Sequence, residues 1–144
     1  MPIPSSSDRS RAAPVSWSAI GLVAAGGALG TALREALSLI RPPIDGVPVT
    51  TAAINLAGAF ALGWLLAALS GPGADTERRR AWRTFAGAGV LGGFTTYSAL
   101  AADTVLLSGA RPLLGLGYAV GTVIAGWAAA AVGLAVGGRT RTGR

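Results

Sequence analysis

Four long apolar segments separated by short polar joints set the strongest limit on how this chain can fold. They cover residues 17–39, 47–70, 85–107 and 113–136. Each is close to the about 20 residues that a helix needs to cross the hydrocarbon core of a bilayer. Because 51% of the residues are hydrophobic and only 12% are charged, a soluble domain could not cover its surface. The sequence therefore predicts an all-α integral membrane protein with four transmembrane helices.

The polar joints are short, which makes consecutive helices antiparallel neighbours. They read "RPPIDG" at 41–46, "GPGADTERRR" at 71–80 and "SGARP" at 108–112. We expect a polar N-terminal extension at 1–15, a four-helix transmembrane domain at 16–137 and a basic C-terminal tail at 138–144. Both ends are expected to be poorly ordered because of their polar composition. A secretory signal peptide explains the first segment less well, since three comparable segments follow it.

Several functional classes are disfavoured by composition. Cysteine and histidine are absent, which removes disulfides and the usual ligands of transition metals. Carboxylates do not pair at a catalytic spacing and no nucleophile has a histidine beside it, so we do not expect an enzyme. The basic residues lie in loops and tails around apolar spans instead of along one face with interleaved aromatics, which argues against nucleic-acid binding.

The positively charged side chains are all arginine, and their distribution predicts one orientation. Most of them lie in the N-terminal extension, at the second joint and in the C-terminal tail, whereas the opposite side has only Arg34, Arg41 and Arg111. Arginines in short flanking loops stay on the cytoplasmic side, so we expect both termini in the cytoplasm and the protein in the inner or plasma membrane. With so strong a bias, a pair of inverted subunits would need a second polypeptide of opposite bias.

Two pairs of polar residues lie at membrane depth, where such groups are costly and usually face a partner or a water-filled path. Thr51 and Asn55 are four residues apart, as are Tyr118 and Thr122, so each pair shares one helix face. The pairs could line a common path, or they could form hydrogen bonds between helices that pack closely at neighbouring glycines. Spacing alone favours such interhelical hydrogen bonds.

The third segment contains the stretch "GGFTTYSALAAD" at residues 92–103. Its paired glycines and threonines are poor helix formers, and threonine hydroxyls compete for backbone hydrogen bonds. The pattern predicts that the third helix is broken near residues 92–96, although a glycine-lined contact in an unbroken helix would also explain it. Broken helices at mid-membrane expose carbonyl and amide groups that bind ions.

Four motifs, in order, resemble those of the small fluoride channels called Fluc or CrcB. "GGALGTALRE" resembles GGxxGAxxRY, "TAAINLAGAFALG" resembles TxxxNxxGSFxxG, "GGFTTYSALAAD" resembles GGxTTFSTFxxE, and "YAVGT" resembles YxxxS. No single motif is decisive, but the ordered set is specific and spans residues 26–126.

The resemblance implies an antiparallel dimer of inverted subunits, with two fluoride pathways along the interface. It also implies a structural Na⁺ ion held by the backbone carbonyls of Gly92 and Thr95. The residues that would line the fluoride pathway are Asn55, Tyr97, Ser98, Leu100, Tyr118 and Thr122. Vestibule or structural roles fall to Arg34, Thr51 and Asp103, the last standing where the family has glutamate.

Two departures from the family pattern fall on the pathway. The family has two phenylalanines whose ring edges can face a small anion, but this chain has Tyr97 and Leu100 there. Tyr97 keeps an aromatic edge, whereas Leu100 offers none, so at least one of the two pathways is expected to be altered. Together with the arginine bias, this favours a heterodimer with an oppositely oriented homologue over a homodimer.

The implied function is passive, fluoride-selective efflux across the cytoplasmic membrane. One alternative is a small multidrug-type proton-coupled antiporter, which needs a carboxylate deep in the first helix, and residues 17–33 contain none. A second alternative is a structural subunit that supports an active inverted partner, which the leucine at position 100 favours.

Overall fold

Helices make up nearly all of the chain that the structure, a computed structural model, describes: residues 16–40, 43–70 and 76–142. They are α1 (Trp17–Ile40), α2 (Val49–Leu69), α3 (Glu77–Trp82, continued by Arg83–Leu91 and Gly92–Phe94), α4 (Tyr97–Ala110) and α5 (Pro112–Thr142). α3 and α4 together form one span, so these ranges hold four helical segments long and apolar enough to cross a membrane. The predicted all-α, multi-pass membrane fold is confirmed.

The last helix is longer than the predicted transmembrane domain. The sequence predicts a poorly ordered tail from residue 138 onward, but α5 continues through residues 138–142, so this part of the tail is helical. Arg139 lies near the negative end of the helix dipole, which favours the helix here, and the Thr140 hydroxyl donates to the Gly137 carbonyl at 2.9 Å. The predicted extension at 1–15 lies outside the described residues.

Two close helix pairs organise the bundle, and glycines allow both. α1 packs on α3, where a Cβ added at Gly89 would lie 2.9 Å from the Cα of Gly26. α2 packs on α5, where a Cβ added at Gly63 would collide with the Ala130 carbonyl. Small residues let helix backbones approach closely, and in lipid this close packing is one of the forces that drive helix association. α4 lies against α5 and completes the bundle.

Gly30→Ala should destabilise the contact between α1 and α3. Its Cβ would collide with the Val90 carbonyl and lie 2.7 Å from the Phe94 nitrogen. Overpacking of this kind costs about 1–3 kcal/mol, so we expect a lower melting temperature in detergent. Gly27→Ala is the matched control, because the same helix leaves open space at that Cβ. Equal melting temperatures for the two variants would contradict the packing described here.

The third span is interrupted between α3 and α4, as the sequence predicts. Thr95 (φ −78°, ψ 153°) and Thr96 (φ −149°, ψ 119°) are extended, whereas Gly92 and Gly93 are still helical. The unbroken-helix alternative is therefore excluded, and the break is confined to the two threonines. α3 leads into it through wide turns, in which the Gly92 N–H donates to the Gly87 carbonyl, five residues earlier.

A tight turn joins α1 to α2. The Ile44 and Val47 backbones exchange two hydrogen bonds, of 3.0 and 2.8 Å, across Asp45 (φ 51°) and Gly46 (φ 81°). Positive φ at both central residues is the type I′ turn that Asp-Gly favours. The turn reverses the chain and brings the start of α2 close to α4.

Candidate functional site

The side chain of Asn55 holds the break of the third span. Its Oδ1 accepts a hydrogen bond from the Thr96 N–H at 2.8 Å, and its Nδ2 donates to the Thr96 carbonyl at 3.0 Å. Asn55 is half-buried on α2, so these two bonds tie the middle of α2 to the extended backbone. The amide keeps one N–H beyond these two bonds, since an asparagine NH₂ carries two donors.

The break diverts two backbone donors from the carbonyls that they would serve in a helix. In an unbroken helix the Thr96 N–H would bond to the Gly92 carbonyl, but it donates to Asn55 instead. The Ala99 N–H would bond to the Thr95 carbonyl, but it donates to the Thr96 hydroxyl at 3.1 Å. The carbonyls of Gly92 and Thr95, the two that the family resemblance singles out, thus lose their helical donors.

Thr95 closes the C-terminal end of α3. Its N–H and its hydroxyl both donate to the Leu91 carbonyl, at 3.0 and 2.9 Å. Its methyl group packs on Gly58 of α2, where any added Cβ would collide with it. The end of α3 therefore sits directly against α2, because residue 58 has no side chain.

Thr96 begins α4. Its hydroxyl accepts from the Ala99 N–H and lies 3.1 Å from the Ser98 hydroxyl. A threonine in this position is an N-cap, and the first N–H groups of a helix carry partial positive charge. The positive end of α4 and two hydroxyls thus meet at the break, an arrangement suited to a small anion.

An open groove of about 360 Å³ runs past the break, and we call it the break groove. Helices α2, α3, α4 and α5 contribute to its lining, with Asn55, Thr95, Thr96, Tyr97, Leu100 and Thr122 among the contacting residues. Thr122 and Leu100 are 8% and 6% exposed, whereas Tyr97 is 80% exposed at the edge. The predicted residues Asn55, Tyr97, Leu100 and Thr122 therefore come together, and Ser98 lies next to them on Thr96.

Tyr118 occupies a different place from Thr122, although both are on the same helix. Its hydroxyl donates to the Pro48 carbonyl at 3.2 Å and interacts with the side chains of Thr51 and Asp103. Asp103 also lines a second groove, of about 300 Å³, beside the turn between α1 and α2. Its Oδ2 is buried and has no hydrogen-bond partner within the described ranges. Tyr118, Thr51 and Asp103 form a polar cluster nearer the turn than the break groove.

Arg34 lies near the end of α1 and is paired locally. Its guanidinium is 3.2 Å from the Glu35 carboxylate, and its side chain is 21% exposed. One guanidinium nitrogen, Nε, is buried without a hydrogen-bond partner in the part of the chain that the structure describes. Arg34 is not among the residues that line the break groove.

Three residues make contacts at the break that the sequence did not predict. Thr96 is both the cap of α4 and the partner of Asn55, and Gly58 receives the Thr95 methyl group. The Thr31 hydroxyl of α1 donates to the Gly93 carbonyl at 3.4 Å. The capping role had a local signal, because a threonine before the helical run "YSALAAD" is a typical N-cap. The contacts across helices had none.

Comparison with known proteins adds a family match over most of the chain. The family profile described as "CrcB-like protein, Camphor Resistance (CrcB)" matches residues 21–134. This range contains the break, the break groove and the polar cluster around Tyr118.

Individual proteins are similar over comparable lengths. The chain is 51% identical over 117 residues to "Fluoride-specific ion channel FluC 2" of Leifsonia xyli subsp. xyli, covering 81% of each protein. It is 47% identical over 110 residues to "Fluoride-specific ion channel FluC 1" of Cutibacterium acnes, covering 74% of this chain and 76% of that protein. For "Fluoride-specific ion channel FluC" of Paracoccus denitrificans the identity is 39%, covering 80% and 90%.

Proposed function

The chain belongs to the CrcB-like family, and from that premise we propose that it is a subunit of a fluoride-selective channel. The relatives that it matches at 39–51% identity are named fluoride-specific ion channels. The observation that carries the proposal is the break in the third span, where Asn55 and the start of α4 face an open groove. Flux would be passive, since a channel follows the ion gradient.

The chemistry of the break groove suits fluoride. Fluoride is small and strongly hydrated, so a selective path must replace its water with hydrogen-bond donors in a narrow bore. The second N–H of the Asn55 amide, the Thr122 hydroxyl and the first N–H groups of α4 can supply such donors. Among the described residues that contact the groove, none has a charged side chain, so an anion would be stabilised without being trapped.

We further propose that the groove becomes a closed path only when a second, inverted subunit covers it. Its rim is exposed: Tyr97 is 80% and Val123 is 58% accessible in the single chain. A partner laid on this face would place its own broken helix opposite α3 and α4. Because the arginine distribution opposes insertion of this chain in both orientations, that partner would be an oppositely oriented homologue. Relatives numbered FluC 1 and FluC 2 fit the existence of paired subunits.

Na⁺ at the centre of such a dimer is part of the same proposal. The carbonyls of Gly92 and Thr95 would hold it, because the break takes away their helical donors and leaves their oxygens without those bonds. Carbonyl oxygens at the ends of interrupted helices are typical cation ligands in membrane proteins. When bound, the ion supplies positive charge at the middle of the assembly.

Fluoride release from liposomes tests the proposed function. Liposomes loaded with potassium fluoride and containing this chain with its oppositely oriented homologue should release fluoride when valinomycin provides a path for K⁺. A fluoride electrode measures the release, and a chloride electrode should detect little release from chloride-loaded liposomes. Release that requires a proton gradient, or that is equal for chloride, would favour an antiporter or a nonselective pore over the proposed channel.

A further inference from the structure

A groove between α1 and α3 at the arginine-rich end of the bundle lies well away from the break. Its apolar part, about 310 Å³ in volume, is lined by Leu22 of α1 and by Arg78, Ala81, Trp82 and Phe85. Trp82 is 50% exposed and meets Phe85 edge to face, with ring centroids 6.2 Å apart. Tryptophan is enriched where a membrane protein crosses from lipid tails to headgroups, so this slot lies at the depth of upper acyl chains.

A polar pocket adjoins the slot and shares Leu22 and Ala81 with it. It has a volume of about 290 Å³ and is lined by hydroxyl side chains together with Arg80 and one acid, Glu77. We call the slot and the pocket together the basic-end groove. It therefore offers an apolar half and a hydrogen-bonding half side by side.

The charge at the basic-end groove is net positive, since Arg78 and Arg80 line it against one acid, Glu77. Arg78, Arg79 and Arg80 follow one another in the first turns of α3, opposed there by Glu77. Cations at the start of a helix are disfavoured by the helix dipole, so these arginines do not stabilise α3. Membrane orientation requires positive charge on this side of the bilayer, but it does not require Arg78 and Arg80 to line the two halves of one groove.

We propose that the basic-end groove binds an anionic phospholipid of the phosphatidylglycerol type. One acyl chain would lie along Trp82 and Phe85, and the phosphate would be held by Arg78 and Arg80. Guanidinium groups bind phosphate through paired, charge-assisted hydrogen bonds, and a zwitterionic lipid would bring its own cation into a positive site. A lipid bound there would support the contact between α1 and α3 and does not depend on what the break groove transports.

Quenching of Trp82 by brominated lipids tests the proposal. The protein used is the full chain with Trp17→Phe, Trp64→Phe and Trp127→Phe, so that Trp82 alone reports. In phosphatidylcholine vesicles doped with brominated phosphatidylglycerol or brominated phosphatidylcholine, we expect stronger quenching by the anionic lipid. Arg78→Gln with Arg80→Gln should lower the relative association constant of the anionic lipid roughly 30-fold, as expected for the loss of two arginines at the membrane surface. Arg111→Gln, at the opposite end, should leave it unchanged.

A second variant separates a bound lipid from a diffuse cloud of anionic lipid. Ala81→Leu keeps every charge but fills the groove at one of the two residues that both halves share, so it should reduce the preference as the arginine variants do. A companion protein that keeps only Trp127, on α5, should be quenched equally by both lipids. Equal quenching of Trp82 by the two lipids would overturn the proposal. So would a full anionic preference in Ala81→Leu, which would indicate attraction by charge alone.

Discussion

In the assembled channel, fluoride flux through the pathway that this chain lines should fall by roughly 100-fold or more when Asn55 is replaced by aspartate. A carboxylate at this position would face both the passing anion and the Thr96 carbonyl, to which the amide now donates at 3.0 Å. Two like charges about 4 Å apart repel by about 4 kcal/mol near a protein surface, and that exceeds the energy of a 100-fold change in rate. The rate is measured as initial fluoride release per channel from liposomes.

Asn55→Ala removes the side chain without adding charge and should lower the flux less steeply. It leaves the Thr96 N–H and carbonyl without partners, and each unmet buried group costs about 1–3 kcal/mol. Because the two bonds to Thr96 are lost, we also expect a loss of stability. Flux must therefore be normalised to the folded, assembled fraction recovered from size-exclusion chromatography.

Gly30→Ala and Thr140→Ala are the matched controls for the Asn55 variants. Gly30→Ala destabilises the bundle at a contact outside the break groove, and Thr140→Ala removes a hydroxyl bonded only locally to Gly137. Both should conduct normally per folded channel. Wild-type flux per channel in Asn55→Asp would refute the assignment of this residue to the pathway, and equal losses in Asn55→Ala and Gly30→Ala would assign its effect to folding.

The spans and the break were predictable because each depends on short-range chemistry. A bilayer of nearly constant thickness demands about 20 apolar residues per helix, so segment length suffices. The cluster of glycine and threonine predicted a break, but tertiary contacts determine which of these residues are helical and which are extended. Gly93 stays helical because it packs on Gly27 of α1, whereas Thr95 and Thr96 are extended because their side chains and Asn55 satisfy the backbone.

The candidate site was only partly predictable because spacing along a helix says nothing about its neighbours. Tyr118 and Thr122 share one face of α5, yet Thr122 reaches the break groove and Tyr118 bonds to Pro48 near the turn. Which part of a helix meets which neighbour depends on how far the helices slide along each other. In this bundle the glycines fix the relative position of the helices. Gly63 and Gly133 lie at the contact between α2 and α5, and their partners cannot be identified from sequence spacing.

Leu100 is part of the buried core and also contacts the break groove. At 6% exposure it packs with Leu107 and Tyr118 as part of the buried cluster while also touching the break groove. A leucine there fills space but presents no positive ring edge to an anion. Tyr97, by contrast, is exposed on the rim. The side of the path that this subunit lines is thus expected to rely on Asn55, Thr122 and Tyr97.

Purified alone and reconstituted, this chain should release fluoride at a rate close to that of protein-free liposomes, whereas co-reconstitution with an oppositely oriented homologue should give rapid release. The physical reason is that the break groove is open in the single chain, and its rim residue Tyr97 is 80% exposed. The biased arginines oppose insertion of inverted copies of the same chain. Shifting the bias, with Arg78→Gln, Arg79→Gln and Arg80→Gln together with added arginines in the turn at 43–46, should restore some flux to the lone chain. Rapid fluoride release from the unmodified lone chain would refute the requirement for a second polypeptide.

In the active pair, Asn55→Asp in this chain alone then decides its role: full residual flux would make the chain a structural support for its partner, and a loss of about half or more would show that its own groove conducts.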